Sequence, residues 1–400
     1  MRPICCTILL AAVCGCAGET EVTAPRPAAL QARPTLQYRI DPLPTDGPGL
    51  SQGAGINNDD RIAGFTGTSD GTRQAALWRN GAITPLGTLP GGAHSMVQWP
   101  GINQSGIIVG ISRTGEDDPN GEAWSCSAFL PGAGKVCLGF VWENGVMSPL
   151  PTLGGPNGFA TGVNARGQVV GWAENLVHDP TCDPNGTQVL QFRAVVWNPK
   201  AGTKQQLPPF PGDATSAATA INDRGQVVGI SGECDVAVGR RSATHAVLWE
   251  NGTVHDLGNL GGDFWHTPMA INARGDVVGF GNPPGGDIDA DDLRAFLWTR
   301  GGGIENLGKR DQDGLSQALD INARGQIVGV SCGDLCSAVL WLDRKLYVLQ
   351  DLAPGFTGYL WSARSINDAG QITGRMYDAN GTPMAYVATP VAAPSAGAPR

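Results

Sequence analysis

One phrase recurs seven times along this chain: Ile-Asn-x-x-Gly-x-ψ-ψ-Gly, with small variations and with ψ mostly Val or Ile. Its asparagines are Asn57, Asn103, Asn164, Asn222, Asn272, Asn322 and Asn367, spaced by 46, 61, 58, 50, 50 and 45 residues. Its closing glycines are Gly64, Gly110, Gly171, Gly229, Gly279, Gly329 and Gly374. Such regularity marks a repeat protein. Residues 243–280 show the unit most clearly. Four short apolar runs (246–249, 254–260, 269–272 and 276–280) are separated by Asn251 and Gly252, by Gly261 and Gly262, and by the turn 272–275. Short runs bounded by Asn and Gly read as antiparallel strands joined by hairpins.

A second phrase, an apolar triplet ending in an aromatic, closes at Trp78, Trp142, Trp197, Trp249, Trp298 and Trp341; the seventh copy places Ala388 there. A third, Leu-Gly-x-Leu or a relative, is clearest at residues 86–89, 150–153 and 257–260. Seven copies of about four strands predict an all-β, seven-bladed β-propeller with four-stranded antiparallel blades. The last copy stops after its third strand near Thr389, while one spare run, residues 36–43, precedes the first copy. The N-terminal strand is therefore expected to complete the last blade and close the ring, which removes an exposed sheet edge. An open array with a frayed end is the alternative.

These linked phrases resemble the HAF repeat family, named for a His-Ala-Phe triplet in the aromatic-ended strand. The matching triplets are His245, Ala246 and Val247; Arg294, Ala295 and Phe296; Arg193, Ala194 and Val195; and Gln74, Ala75 and Ala76. The resemblance covers about residues 36 to 389. It implies a secreted or surface-attached bacterial protein and brings no established catalytic residues.

The flanks agree with export. Residues 1–16 read as an export signal, with Arg2 before an apolar core too short to span a bilayer. Val13, Cys14, Gly15 and Cys16 resemble a lipobox that would lipidate Cys16; ordinary cleavage and full secretion is the alternative. Residues 17–35 read as a flexible tether, 36–389 as one propeller domain and 390–400 as a disordered tail. Cys126, Cys137, Cys182, Cys234, Cys332 and Cys336 then form an even set in an exported chain, which favours disulfides over zinc. Cys126 with Cys137 and Cys332 with Cys336 share single loops, leaving Cys182 with Cys234; the sequence alone does not fix these pairs. Net charge is −9, only 16% of residues are charged, and no Lys/Arg cluster occurs, so nucleic acid is not an expected partner. A monomer is expected, meeting a membrane only through a lipid anchor.

Label the strands of a copy A (Ile-Asn), B (Val-Val-Gly), C (the aromatic-ended strand) and D (Leu-Gly). Antiparallel alternation puts the short, uniform A–B and C–D turns on one face. The long, irregular B–C and D–A connections fall on the other, where binding sites tend to sit. The uniform turns need positive φ, which Asn and Gly supply. The first copy has Asp60 where the others have Gly, and Asp tolerates that region. On the long-loop side Trp99, Phe159, Trp265, His266, Tyr359 and Trp361 are candidate ligand-binding residues, because a ring offers a flat apolar face. The alternative is that such rings plug the channel or pack under loops. Asp287, Asp289 and Asp291 form a weak candidate Ca²⁺ loop that lacks the glycine and distal Glu of a helix–loop–helix site.

No Gly-x-Ser-x-Gly, His-Glu-x-x-His or phosphate loop occurs, and no catalytic residues or cofactor are assigned. The expected function is a non-enzymatic surface module that binds a glycan or a protein through the long-loop face. An extracellular carbohydrate-active enzyme, with Asp213 and Asp263 as candidate acids, and a purely structural surface protein are the alternatives.

Overall fold

The computed structural model describes residues 36–392, apart from 48, 123, 128, 133, 235–242 and 287–291. The export signal, Cys16, the tether and the candidate Ca²⁺ loop lie outside the described residues. Seven four-stranded antiparallel sheets are present, each in the order A–B–C–D. Blade 1 is typical, with strands Gln52–Ile56, Ile62–Gly67, Arg73–Arg79 and Ala82–Gly87. The fold is the expected seven-bladed propeller, with the A strands innermost. Among the described residues, helix is confined to one short segment, Trp124–Ser127, and two 3₁₀ turns.

The ring closes as the spare N-terminal run predicts. Strand Leu36–Pro42 is the D strand of blade 7 and pairs antiparallel with Pro383–Ala392, Ile40 opposite Ala388. That C strand continues to Ala392, past the end expected near Thr389, and Leu36 holds its last residue. The A and D strands of blade 7 therefore come from opposite ends of the chain.

Each piece of the repeated phrase has a local cause. The Asn-Gly turns place Asn80, Asn144 and Asn251 at φ 52°, 53° and 51°, and Asp60 stands at φ 59° as its departure from Gly requires. The closing glycine answers a bulge. In blade 4 the A strand shifts register between Ala218 and Ala220. That shift brings the Ala217 carbonyl oxygen to 2.0 Å from where a Cβ on Gly229 would stand. The same clash recurs at Gly64, Gly171, Gly279, Gly329 and Gly374.

The asparagine has two jobs. Its Oδ1 accepts from the turn, as Asn222 does from Arg224 N at 3.0 Å and Gln226 N at 3.1 Å. Its Nδ2 donates to the main-chain carbonyl of the equivalent asparagine in the next blade. The donors run Asn57, Asn103, Asn164, Asn222, Asn272, Asn322, Asn367 and back to Asn57, at 3.0, 2.9, 3.2, 3.0, 3.4, 3.0 and 3.0 Å. The result is a closed belt of seven hydrogen bonds on the short-turn side.

The C-strand tryptophans bind blade to blade further out. Trp78, Trp197, Trp249 and Trp341 donate their indole N–H to carbonyls of Pro44, Pro151, Pro208 and Leu307, at 2.7, 2.8, 2.6 and 3.0 Å. Each acceptor lies at or just after the D strand of the preceding blade.

Asn222→Ala removes a belt bond and two turn bonds at a buried site, so about 3 kcal/mol of unfolding free energy should be lost. Gly229→Ala should cost about 3 kcal/mol or more, because the bulge must break to admit a methyl group. Urea unfolding of both variants checks this, and a Gly229→Ala protein of native stability would contradict the bulge account.

Candidate functional site

The long-loop face carries the three disulfides among the described residues: Cys126–Cys137, Cys182–Cys234 and Cys332–Cys336. Asp179 also approaches Cys182 and Cys234, but those sulfurs are bonded to each other, so the trio is a cross-link and not a metal site. The Cys182–Cys234 bond ties the B–C loops of blades 3 and 4 together.

The six candidate aromatic and histidine residues do not form one surface. Trp99 and Phe159 are buried and meet Phe129 and Trp172 edge-on or tilted, with centroids 4.7 to 6.2 Å apart. Trp265 is buried against Phe280. His266 is buried, with Nε2 3.1 Å from the Gly262 carbonyl, and burial pushes its pKa down. Tyr359 hydrogen-bonds Ser337 and the Cys336 carbonyl. Trp361 carries the Arg375 guanidinium 4.8 Å above its ring. Phe159, His266, Tyr359 and Trp361 lie in A strands and Trp99 follows the short strand Ser95–Met96, while Trp265 ends its D–A connection. Trp265 takes φ 59°, a left-handed backbone just before strand His266–Ile271. Packed this way, Trp99, Phe159, Trp265 and His266 present no open face to a ligand.

What they build is a plug. One apolar cluster gathers Phe65, Ile111, Trp172, Ile230, Phe280 and Val330 from blades 1 to 6. Each stands one residue after the closing glycine of its B strand. Blade 7 has Arg375 at that register. On the A strands, the residue three before the asparagine is Ala54, Pro100, Thr161, Thr219, Met269 or Leu319 in blades 1 to 6, and Arg364 in blade 7. The seventh blade thus replaces apolar or small side chains with two arginines. Arg375 is 9% exposed and donates to Gln52 Oε1 at 2.8 Å.

Sequence reasoning missed a second feature, a buried acidic knot under the loops of blades 2 and 3. Glu122 and Glu174 are 0% and 1% exposed. Gln188 Nε2 donates to an oxygen of each at 3.1 Å. Asn157 ties the knot to its surroundings: its N–H reaches Glu174 at 2.9 Å, its amide nitrogen reaches Asp118 at 2.8 Å, and its oxygen accepts from Cys137 N at 3.0 Å. Burial, and then the Glu122 charge, push the Glu174 carboxyl up to about 7. The candidate acids read from sequence behave otherwise. Asp213 is held 2.9 Å from His245 Nδ1, and Asp263 is exposed.

No family model matches the chain, and no curated protein matches it. Among solved structures it is similar to a gluconolactonase from Xanthomonas campestris, at 15% identity over 57% of this chain and 76% of that one, with TM-score 0.31. A puromycin-hydrolyzing peptidase from Mycobacterium tuberculosis is similar at 10% identity over 88% and 56%, with TM-score 0.46. The Aleuria aurantia lectin, solved with Fucα1-6GlcNAc, is similar at 10% over 89% and 99%, with TM-score 0.36. At these identities and scores they carry no argument about function.

The knot predicts a pH dependence. The native pKa of Glu174 lies above its ordinary value of 4.5, at about 7, so the native state favours the protonated acid. Its contribution is fully present below pH about 4.5 and is lost as pH rises through about 7, by roughly 3 kcal/mol. Glu174→Gln should therefore gain stability relative to the native chain between pH 5 and 8 in urea unfolding. A constant difference across that range would show that Glu174 is not the titrating group.

Proposed function

We propose that this chain is an exported bacterial surface module of the HAF repeat type whose long-loop face binds a glycan or a protein. One observation carries this reading. Of the five large apolar side chains exposed among the described residues, four lie on that face: Leu176 at 74%, Val177 at 53%, Leu335 at 52% and Phe264 at 43%. The fifth, Val146, follows a C–D turn on the other face. Apolar groups gathered on one side of a rigid scaffold, among its long loops, favour a partner surface. Disulfides across the same loops hold that surface in shape, which lowers the ordering cost of binding. The proposed ligand contacts are these outward-facing side chains.

A carbohydrate-active enzyme has one observation in its favour, the Glu122 and Glu174 pair. Both acids are enclosed and hydrogen-bonded, so the binding reading accounts for more of the face.

The test is a glycan-array and bead-capture screen with residues 36–400, followed by Leu176→Asp combined with Phe264→Asp. Both sites are exposed, so the variant should keep its melting temperature while affinity for any captured ligand falls at least tenfold, on the order expected for hot-spot contacts. Undiminished binding by a folded variant would place the ligand elsewhere.

A further inference from the structure

We propose that blade 7 makes its own sector of the ring centre, beside the apolar plug, a binding site for a carboxylate group, gripped by Arg364, Arg375 and Gln52. The first argument is a mismatch of donors and acceptors. Arg364 Nε, Arg375 Nε and Gln52 Nε2 are buried nitrogens without a hydrogen-bond partner among the described residues. Arg375 and Gln52 touch each other directly, at 2.8 Å. Gln317 Nε2, at the register of Gln52 but on blade 6, is a further buried donor without a partner. Unsatisfied donors gathered on adjoining blades are costly to keep without an acceptor.

The second argument is charge. Neither Arg364 nor Arg375 makes an ion pair among the described residues; the Arg375 charge acts on Arg364, while Arg73 and Tyr377, whose side chain also hydrogen-bonds it, act on Arg375. Burial first, and then Arg375, push Arg364 down to about 9. Burial likewise lowers Arg375 to about 10, with Tyr377 opposing and Arg73 adding to the fall. The acid on the neighbouring strand, Asp320, is already taken by Ser365 Oγ at 2.6 Å and by the N–H groups of Ile366 and Ile321. A cation as enclosed as Arg375 is unfavourable without a counter-charge, so the space it shares with Arg364 calls for an anion. Two guanidiniums offer planar forks that match a carboxylate.

The third argument is position. Arg364 keeps a part-exposed surface, so solvent reaches it. The Arg375 guanidinium lies over the Trp361 ring, 4.8 Å from its centroid. In the sister blades the same registers hold Leu319 and Val330, or Met269 and Phe280, so the scaffold does not need arginine there. The arginines therefore serve something other than packing. The biological sense of this site rests on the binding-module reading, in which a ligand lying on the long-loop face would reach an acidic group down to Arg364.

The test uses the full chain in calorimetry and thermal melting with sodium glucuronate, acetate, sulfate and glucose, at matched chloride and ionic strength. Glucuronate should bind saturably and raise the melting temperature, and glucose should do neither. Arg364→Leu copies the residue of blade 6. It should fold, melt at or above the native temperature without ligand, and bind glucuronate about tenfold more weakly or worse. Arg375→Met provides a second variant with the same expected loss. Acetate binding as well as glucuronate would assign the grip to the carboxylate alone and supports the proposal. Undiminished glucuronate binding in a folded Arg364→Leu protein, no carboxylate binding above the chloride control, or tighter binding of sulfate would each overturn it. A chain that binds glucuronate here while no ligand is captured on the long loops would refute the function proposed above and leave this site standing. Capture on the loops with no carboxylate binding would do the reverse.

Discussion

Seven asparagine side chains joined head to carbonyl around the axis set the geometry of everything else. Each one both shapes its own turn and reaches the next blade, so local folding and ring closure are enforced by the same atoms. A polar group buried at a blade junction must find a partner, and here the partner exists only if the neighbouring copy has formed its own turn. That coupling makes the short-turn side uniform. It also joins the first and last copies through Asn367 and Asn57, whose contact spans 310 residues of sequence. The tryptophan bonds further out repeat the logic at a larger radius, from one blade to the edge of the preceding one.

The architecture was legible because its causes are local. Positive φ at Asn80, Asn144 and Asn251 is a property of the Asn-Gly pair and is visible without coordinates. The closing glycines stood out in the sequence, yet their reason, a carbonyl pushed into the Cβ position by a bulge, is a relation between two strands. All six of these cysteines lie on one face, so which pairs form is read only from the structure. Burial of the aromatic set was harder to see. Trp99 sits in an interrupted stretch of its A strand, between the Met96 and Ile102 pairings, and turns inward to Phe129 of a neighbouring loop. Nothing in local composition separates an inward from an outward indole. The Glu122–Gln188–Glu174 knot is assembled from loops that share no periodic pattern, so no spacing rule finds it. Arg364 and Arg375 were within reach of the sequence, since aligning the seven copies by their asparagines places both at registers where other blades carry apolar or small residues.

The contrast between blades shows how a repeat fold makes room for specificity. Six copies supply the apolar material that fills the middle of the ring. The seventh contributes charge at the same level. It is also the copy built from both ends of the chain, and its neighbours across the join are fastened by Asp320, Ser365 and Ile56. Cationic groups with unmet donors reduce stability where they stand. The belt and the tryptophan bonds hold the surrounding ring, so the departure stays confined to one sector.

The closing strand also fixes an orientation. Leu36 lies opposite Ala392, so the chain enters and leaves blade 7 on the side of the asparagine belt. The disulfide-tied loops lie at the opposite pole. A surface holding this protein by either end would meet the smooth, repetitive side and turn the irregular, apolar-studded side toward the medium. Polarity of display is thus built into where the polypeptide joins its own ring, independent of what the loops contact.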